Sequence, residues 1–303
     1  MKVLIGPSAF AAEDRAALDL LVGAGVEIVP NPHGRKLTLS ELRVLLPGVC
    51  GLVAGLEPLT RDVMAASELK VISRVGAGMS NVDLDAALEL GIAVFNTPDA
   101  PTNAVAELTI GAMITLLRSL PTMDRDLHAG KWNKRVGLQL EGRAVVIAGF
   151  GRIGRRVAEL LAPFRARVIA VDPLLKSPPP DVELMALDEA LSLAEVVSLH
   201  ASGDTEILGA REFGLLRHGA FVLNAGRGGL VNEQQLVAAL ESGAVAGAWI
   251  DTFVEEPYSG PLTRFSQVIV SPHIASASRE ARLKMETEAV RNLLSVLAPG
   301  AAH

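Results

Sequence analysis

The amino-acid sequence predicts an α/β protein with two doubly wound parallel sheets, each in its own domain. Short apolar runs alternate with segments of helical periodicity over most of the 303 residues, as expected for parallel strands with helices on both faces. One long helical stretch interrupts this alternation, and a second strand–helix series follows it. A chain of this length is also long for one hydrophobic core and comfortable for two.

The first series contains five strand-like segments. A helix between the first two ends near Gly25, and the next helix begins near Thr38 or Ser40, which are favourable N-cap residues. A short helix after the fourth strand ends at Gly91. The strand segments are, in order, KVLIG, VEIVPN, VCGLVAG, LKVISRVG and IAVFNTP.

The stretch TNAVAELTIGAMITLLRSLPTMDRDLHAG, residues 102–130, predicts one helix of about 25 residues or more that connects the two domains. Helical segments then separate a second set of strands, and ASREARLKMETEAVRNLLSVL predicts a terminal helix. The second set of strands comprises GRAVVIAGFG, ARVIAVDP, EVVSLHA, AFVLNAG, VAGAWIDTF and QVIVSPH.

Composition argues against several classes of protein. The net charge of -6 argues against a nucleic-acid binder, which normally has a basic face. No run of about 18 apolar residues occurs, so we expect no membrane span. The single cysteine, Cys50, cannot form an intrachain disulfide, and a reducing cytoplasm is the expected location. No cluster of histidines and cysteines has metal-ligand spacing, so we expect no metal.

A glycine-rich turn follows the strand AVVIAG. Gly149, Gly151 and Gly154 match the pattern G-x-G-x-x-G, a weak signal alone that gains weight between a strand and a helix. The first glycine allows a tight turn, the second lets a pyrophosphate approach the backbone, and the third lets the helix pack closely. The helix starts near Arg152, so its free N–H groups would face the phosphates. The turn predicts a dinucleotide-binding Rossmann domain.

An acidic residue ends the following strand, as this kind of domain requires. Asp172 follows RVIAV and is placed to accept hydrogen bonds from the adenosine ribose hydroxyls. Its charge would repel a 2′-phosphate, which favours NAD over NADP. Lys176 is near enough in sequence to leave NADP use open.

Three further segments carry functional side chains at or just after strand ends, where open α/β sheets bind ligands. Arg227 offers a planar fork for a carboxylate. His273 follows QVIVSP and could exchange protons near neutral pH. The segment WIDTFVEEP supplies Asp251 and Glu256, and a carboxylate beside a histidine orients the ring and favours its protonated form.

These motifs resemble the D-2-hydroxyacid dehydrogenase family of the phosphoglycerate dehydrogenase type, from about Val3 to Leu297. The resemblance is carried, in order, by RVGAGMSNVD, FNTPDAPTNAVAELTIGAMITLLR, LEGRAVVIAGFGRIGRRVAELL, VDP, LNAGRGGLVNEQQLVAALESG, WIDTFVEEP and SPHIASAS. It implies a Rossmann cofactor domain, residues 99–272, inserted in a flavodoxin-like substrate domain, residues 1–98 and 273–303. It also implies a homodimer formed through the cofactor domains, with the alanine-rich connecting helix and the segment GKWN buried between copies.

The resemblance implies a role for each matched residue. His273 is the general acid in carbonyl reduction and the base in oxidation, and Glu256 pairs with it. Arg227 binds the substrate carboxylate and polarises the carbonyl, assisted by the backbone of Ala77 and Gly78. The implied NAD-binding residues are Gly149, Gly151, Arg152, Ile153, Gly154, Asp172, His200, Ala225 and Asp251.

The implied activity is NAD-dependent hydride transfer at C2 of a small D-2-hydroxy or 2-oxo acid. Glyoxylate or hydroxypyruvate, 3-phosphoglycerate, a bulkier 2-oxo acid and a phosphonate analogue all stay open. The segment HASGDTEILGARE is shorter than is usual in the family and carries Ser202 and Gly203. Pro101 and Ser80 also depart from the usual residues near the substrate entrance.

Two other functions stay open at this point. An NAD-sensing protein, similar to the transcriptional corepressors built on this fold, would keep the same nucleotide motifs. Formate or phosphite oxidation is a narrower alternative. Glu256 argues against formate oxidation, because the resemblance implies glutamine at this position in the formate-oxidising branch of the family.

Overall fold

The computed structural model describes residues 1–298, and the predicted assignment of residues 299–303 to the first domain lies outside the described residues. The chain divides into two compact units, one formed by Met1–Pro101 with the segment from Ser276 and the other by Thr102–Ala275. The two boundaries between the units, after Pro101 and after Ala275, each lie three residues beyond the boundary proposed from the sequence. His273 therefore clusters with the second unit, which also contains Glu256.

The first unit contains a five-stranded, fully parallel sheet in the order β2-β1-β3-β4-β5. The chain runs from β1 outward to β2 and then returns to β3 on the other side of β1, which is the flavodoxin-like order. The central strands are buried on both faces almost throughout, as expected for a covered parallel sheet. The strands are β1 (Lys2–Ile5), β2 (Glu27–Val29), β3 (Gly51–Ala54), β4 (Val71–Arg74) and β5 (Ala93–Phe95).

Among the described residues of the first unit, three helices begin at a residue whose side chain caps them, namely Thr38, Asp83 and Ser278. In α2, the Glu41 amide donates to the Thr38 hydroxyl, and the Thr38 amide donates to the Glu41 carboxylate, which completes a capping box. The sequence did not predict α3, because its single turn is too short to show a period. The helices are α1 (Ala16–Gly23), α2 (Leu39–Leu45), α3 (Arg61–Ala65), α4 (Leu84–Glu89) and the terminal α11 (Arg279–Leu297).

The second unit contains a seven-stranded parallel sheet in the order β12-β11-β10-β9-β6-β7-β8. The order reverses between β6 and β9, which is the Rossmann arrangement. The predicted fold class is therefore confirmed. The strands are β6 (Ala144–Ala148), β7 (Arg167–Val171), β8 (Val182–Leu184), β9 (Val196–Leu199), β10 (Ala220–Asn224), β11 (Val245–Ile250) and β12 (Val268–Val270).

Strand β8 was not predicted from the sequence. It is three residues long at the edge of the sheet, and two of its residues are exposed, so it shows no apolar run. The helices of this unit are α5 (Thr102–Leu117), α6 (Leu120–His128), α7 (Arg152–Leu161), α8 (Leu187–Leu193), α9 (Ala210–Leu215) and α10 (Glu233–Glu241).

The prediction of one helix across residues 102–130 is wrong, because the chain bends by 64° between α5 and α6. Ser119 adopts a left-handed backbone with φ 51°. Pro121 has no N–H to donate to the carbonyl of Leu117, and that carbonyl instead accepts a hydrogen bond of 2.8 Å from the Leu138 amide. The proline thus frees a carbonyl that the segment after α6 uses.

Across residues 1–298, no single helix combines the length and apolar character of a membrane span. Taken together, the bent pair of helices α5 and α6 has the length and apolar composition of a membrane span, but this similarity rests on length and composition only. Much of α5 is buried within the second unit, including Ala106, Thr109 and Met113.

Candidate active site

The glycine turn lies between β6 and α7, at the reversal of strand order. Gly149 has φ +91°, and a Cβ there would lie 2.3 Å from the Ala201 amide nitrogen. A Cβ on Gly154 would lie 2.2 Å from the Gly149 carbonyl oxygen, whereas one on Gly151 would have no neighbour within 4 Å. The turn is therefore closed at its first and third glycines and open at the second, as a pyrophosphate at a helix N-terminus requires.

Asp172 directly follows β7 beside this turn. Its Oδ2 accepts a hydrogen bond of 2.8 Å from the Phe150 amide, and its Oδ1 accepts one of 2.8 Å from the Leu174 amide. Each oxygen keeps a further lone pair. The carboxylate is thus fixed next to the glycine turn with acceptor capacity to spare, and its contact with the adenosine ribose stays a prediction.

His200 directly follows β9 and lies next to Gly149. Burial lowers its pKa to about 4, so the imidazole is neutral near pH 7. Its Nε2 lies 2.8 Å from the Ser198 hydroxyl, and its Nδ1 is buried with no hydrogen-bond partner among the described residues. Because the ring is neutral and one nitrogen has no hydrogen-bond partner in the described part of the chain, His200 is better suited to line a cofactor site than to transfer protons.

Ser198 was not predicted from the sequence as part of this site. The signal was present, because residues two apart on a strand face the same side of the sheet. The other implied cofactor residues follow the same strand ends or open the same helix. Ala225 comes directly after β10, while Arg152 and Ile153 form the first turn of α7. Their contacts with NAD stay predictions.

His273 and Glu256 form a close pair. Nδ1 of His273 lies 3.1 Å from each carboxylate oxygen of Glu256, and each side chain is about 30% exposed (31% and 30%). The Glu256 carboxylate also accepts a hydrogen bond of 3.2 Å from the Phe253 amide. With Nδ1 facing the carboxylate, the Nε2 side of the ring is left for a substrate.

Asp251 lies under the turn that carries His273. Its carbonyl accepts from the His273 amide at 2.9 Å, and its carboxylate accepts from the Ile274 and Ala275 amides, each at 2.9 Å. The Asp251 residue is 0% exposed. The structure therefore gives Asp251 a supporting role in this turn, and its implied contact with the nicotinamide stays a prediction.

Arg227 lies after β10, the neighbour of β11 in the sheet. Its guanidinium donates to the Gly226 carbonyl at 2.8 Å, and its own carbonyl accepts from the Asn224 amide group at 2.9 Å. A Cβ on Gly228 would lie 2.1 Å from the Phe253 carbonyl carbon, so the two segments pack closely. Arg227, Asp251 and His273 thus follow three adjacent strands.

The two residues implied to hold the substrate carboxylate belong to the first unit. Ala77 and Gly78 follow β4 and are half-buried. The Ala77 carbonyl accepts from the Asn96 amide group at 2.7 Å, and the Gly76 amide donates to the Thr97 hydroxyl at 2.8 Å. These bonds fix the loop, and its role in substrate binding stays a prediction. In the part of the chain that the structure describes, no metal-ligating group of three or more side chains occurs.

Comparison with known proteins gives consistent results. A family model described as "D-isomer specific 2-hydroxyacid dehydrogenase, NAD binding domain" matches residues 110–275. D-3-phosphoglycerate dehydrogenase of Sus scrofa is 35% identical over 298 residues, which cover 95% of this chain and 55% of the relative. The chain spans about half the length of the curated phosphoglycerate dehydrogenases that it matches.

Two other proteins match over most of their own length. Glyoxylate reductase of Thermofilum pendens is 33% identical over 281 residues, covering 88% of this chain and 82% of the relative. The crystal structure of the TT0316 protein from Thermus thermophilus superimposes with a TM-score of 0.91 at 33% identity, over 99% of this chain and 97% of that one. The matched domain contains the glycine turn, Asp172 and the His273–Glu256 pair described above, and the chain belongs to the D-isomer specific 2-hydroxyacid dehydrogenase family.

Proposed function

We propose that this protein is an NAD-dependent oxidoreductase that transfers hydride between nicotinamide and C2 of a small D-2-hydroxy acid or 2-oxo acid. The observation that carries the proposal is the His273–Glu256 pair, with Nδ1 of the histidine 3.1 Å from both carboxylate oxygens. Glu256 follows β11 and His273 follows β12, in the same sheet whose strand β6 leads into the glycine turn. Bound NAD supplies a hydride donor or acceptor there.

The protein residues have separate tasks in the proposed reaction. In the direction of reduction, Nε2 of His273 gives a proton to the carbonyl oxygen as C2 gains hydride, and Glu256 stabilises the charged ring before that transfer. In oxidation, the neutral ring takes the hydroxyl proton. Arg227 pairs with the substrate carboxylate through its planar guanidinium and draws electron density from the adjacent carbonyl.

The substrate is of the glyoxylate or hydroxypyruvate type, or of the 3-phosphoglycerate type. Glyoxylate reductase of Thermofilum pendens supports the first, and D-3-phosphoglycerate dehydrogenase of Sus scrofa supports the second. These matches carry enzyme names, so they do not favour the alternative of an NAD-sensing protein similar to a corepressor.

The test is a spectrophotometric assay of NADH oxidation with glyoxylate, hydroxypyruvate, 3-phosphohydroxypyruvate, phenylpyruvate and phosphonopyruvate. We expect turnover of at least one acid and a fall in kcat of at least about a hundredfold in His273→Gln, the usual scale for loss of general acid–base catalysis. His128→Gln is the matched control, because His128 also pairs with a carboxylate, that of Asp124 at 3.4 Å, but its side chain is 80% exposed. Full activity of His273→Gln towards every accepted acid would exclude this mechanism.

We also propose that the protein is a cytoplasmic homodimer. Large apolar side chains are exposed along α6 and the segment after it, where a second copy would cover them; Trp132 is 76% exposed. The exposed side chains are Leu120, Leu127, Trp132, Val136 and Leu138. Light scattering after gel filtration tests the mass, and we expect Trp132→Asp to shift it toward that of one chain.

A further inference from the structure

A hydrogen-bonded chain of three side chains runs from the core of the second unit to the turn that carries His273. The Trp249 indole Nε1 donates to the Ser271 hydroxyl at 2.8 Å, and that hydroxyl donates to Oδ1 of Asp251 at 2.6 Å. An indole N–H is only a donor, and a hydroxyl has a single proton. Trp249 therefore makes Ser271 an acceptor on one side and directs its proton to Asp251 on the other.

The end of this chain is a buried carboxylate with several donors. Asp251 accepts from Ser271 and from the backbone amides of Ile274 and Ala275, while its carbonyl accepts from the amide of His273. Burying a carboxylate is unfavourable unless hydrogen bonds replace its water. Because the donors lie on both sides of His273 in sequence, their bonds to one carboxylate fix the backbone on both sides of the imidazole.

The turn needs such support. His273 has φ 53°, in the left-handed region that β-carbon sterics disfavour for residues other than glycine. A turn in this conformation persists only where its surroundings hold it there. The bonds from Asp251 to the flanking residues do so, and they set the direction in which the His273 ring leaves the backbone toward Glu256.

We propose that Ser271 is a positioning residue for the reaction proposed above, on which this inference rests. It acts through Asp251, with its proton directed by Trp249, and keeps Nδ1 of His273 against Glu256 and Nε2 toward the substrate. Ser271 itself touches neither reacting atom. Its effect on catalysis therefore passes entirely through the geometry of the His273 turn.

The test compares Ser271→Ala, Ser271→Thr and Trp249→Phe with the wild-type enzyme. We expect Ser271→Ala to lower kcat about tenfold, on the scale of a small misplacement of a catalytic group, with KM for NADH changed less than about twofold. Ser271→Thr keeps the hydroxyl and restores most of the loss. Ser192→Ala is the matched control, because Ser192 is exposed on α8 and its hydroxyl donates to the Glu189 carbonyl.

A double variant separates the hydrogen-bonded chain from simple packing. Trp249→Phe alone should lower kcat about threefold, and it should add nothing further once Ser271 is alanine, because residues acting through one path are not additive. If the two effects multiply, Trp249 acts by packing and the proposed chain is wrong. If Ser271→Thr is as slow as Ser271→Ala, the hydroxyl is not responsible and the proposal is overturned.

Histidine NMR gives a readout independent of turnover. The His273 ring signals, assigned by their absence in His273→Gln, should move in Ser271→Ala and stay unchanged in Ser192→Ala. An enzyme silent on every 2-oxo acid whose His273 signals still respond would contradict the proposed function and leave only the structural coupling of Ser271 to His273. Unchanged His273 signals together with wild-type kcat in Ser271→Ala would sink the positioning role alone.

Discussion

Glu256 holds His273 through both of its carboxylate oxygens, each 3.1 Å from Nδ1. The Phe253 amide donates a hydrogen bond of 3.2 Å to one of these oxygens and helps to fix the carboxylate. The imidazole is therefore oriented by a charge and not only by a hydrogen bond. The two contributions can be separated by experiment, because a glutamine at this position keeps the hydrogen bond and loses the charge.

Glu256→Gln should lower kcat for 2-oxo acid reduction about tenfold to a hundredfold, because it weakens but does not remove general acid–base catalysis, whose full loss costs about a hundredfold or more. The glutamine side chain still accepts a hydrogen bond from Nδ1 but no longer stabilises the protonated ring. The measurement is steady-state turnover with saturating NADH. Glu255→Gln is the control, since Glu255 is the exposed neighbour in sequence. Equal losses in both variants would show that the charge acts over the whole loop and not at the histidine.

The glycine turn allows a paired prediction. Gly154→Ala should destabilise the protein by about 1–3 kcal/mol, the usual cost of forcing an extra carbon into a packed site, because its Cβ would lie 2.2 Å from the Gly149 carbonyl oxygen. Gly151→Ala has open space around its Cβ, so it should keep its stability and lose affinity for NADH. Thermal unfolding and NADH fluorescence titration check the two. Normal NADH affinity in Gly151→Ala would mean that no pyrophosphate approaches there.

Asp172→Ala should weaken NADH binding about tenfold or more, since a hydrogen bond to a charged group contributes about 1.5–3 kcal/mol. It should also reduce the preference for NADH over NADPH, because the repulsion of a 2′-phosphate is removed. Titration with both nucleotides measures the ratio. Asp181→Ala, in the exposed loop after β7, is the control. A ratio unchanged from the wild type would assign the preference to another group.

Most strands and the strand-end residues could be predicted from the sequence because both depend on local signals. Apolar runs mark the strands, and polar residues directly after them mark the ligand edge. Contacts between distant residues carried no such signal. Ser271 lies 22 residues from Trp249, and nothing in either segment indicates that an indole N–H directs the serine proton.

The break after α5 shows a different limit. Pro121 is present in the sequence, but a proline can either open a new helix in its first turn or break a helix from within. In the structure, the Leu117 carbonyl accepts a hydrogen bond from the Leu138 amide, which stabilises the break. Leu138 follows α6 and lies outside residues 102–130, so the pattern of that stretch alone could not indicate this hydrogen bond.

Glu57 leads to a prediction about stability and pH. This residue is 1% exposed, and burial raises the pKa of its carboxyl, only partly offset by a hydrogen bond of 2.8 Å from the Gly55 amide and by the charge of Arg74. An acid whose pKa is higher in the folded state binds its proton more tightly there. Its contribution to stability is therefore full below the unfolded pKa and declines as the pH rises through the folded pKa.

Glu57→Gln removes this ionisation while keeping an acceptor for the Gly55 amide. The free energy of unfolding of the variant, relative to that of the wild type, should therefore rise as the pH increases above the ordinary glutamate pKa of about 4.3. Urea unfolding at several pH values measures the difference. Glu68→Gln, at an exposed position of the same unit, should show a flat difference. A flat difference for Glu57→Gln as well would mean that the hydrogen bonds and positive charges around Glu57 fully offset its burial, so that folding leaves proton binding at this carboxyl unchanged.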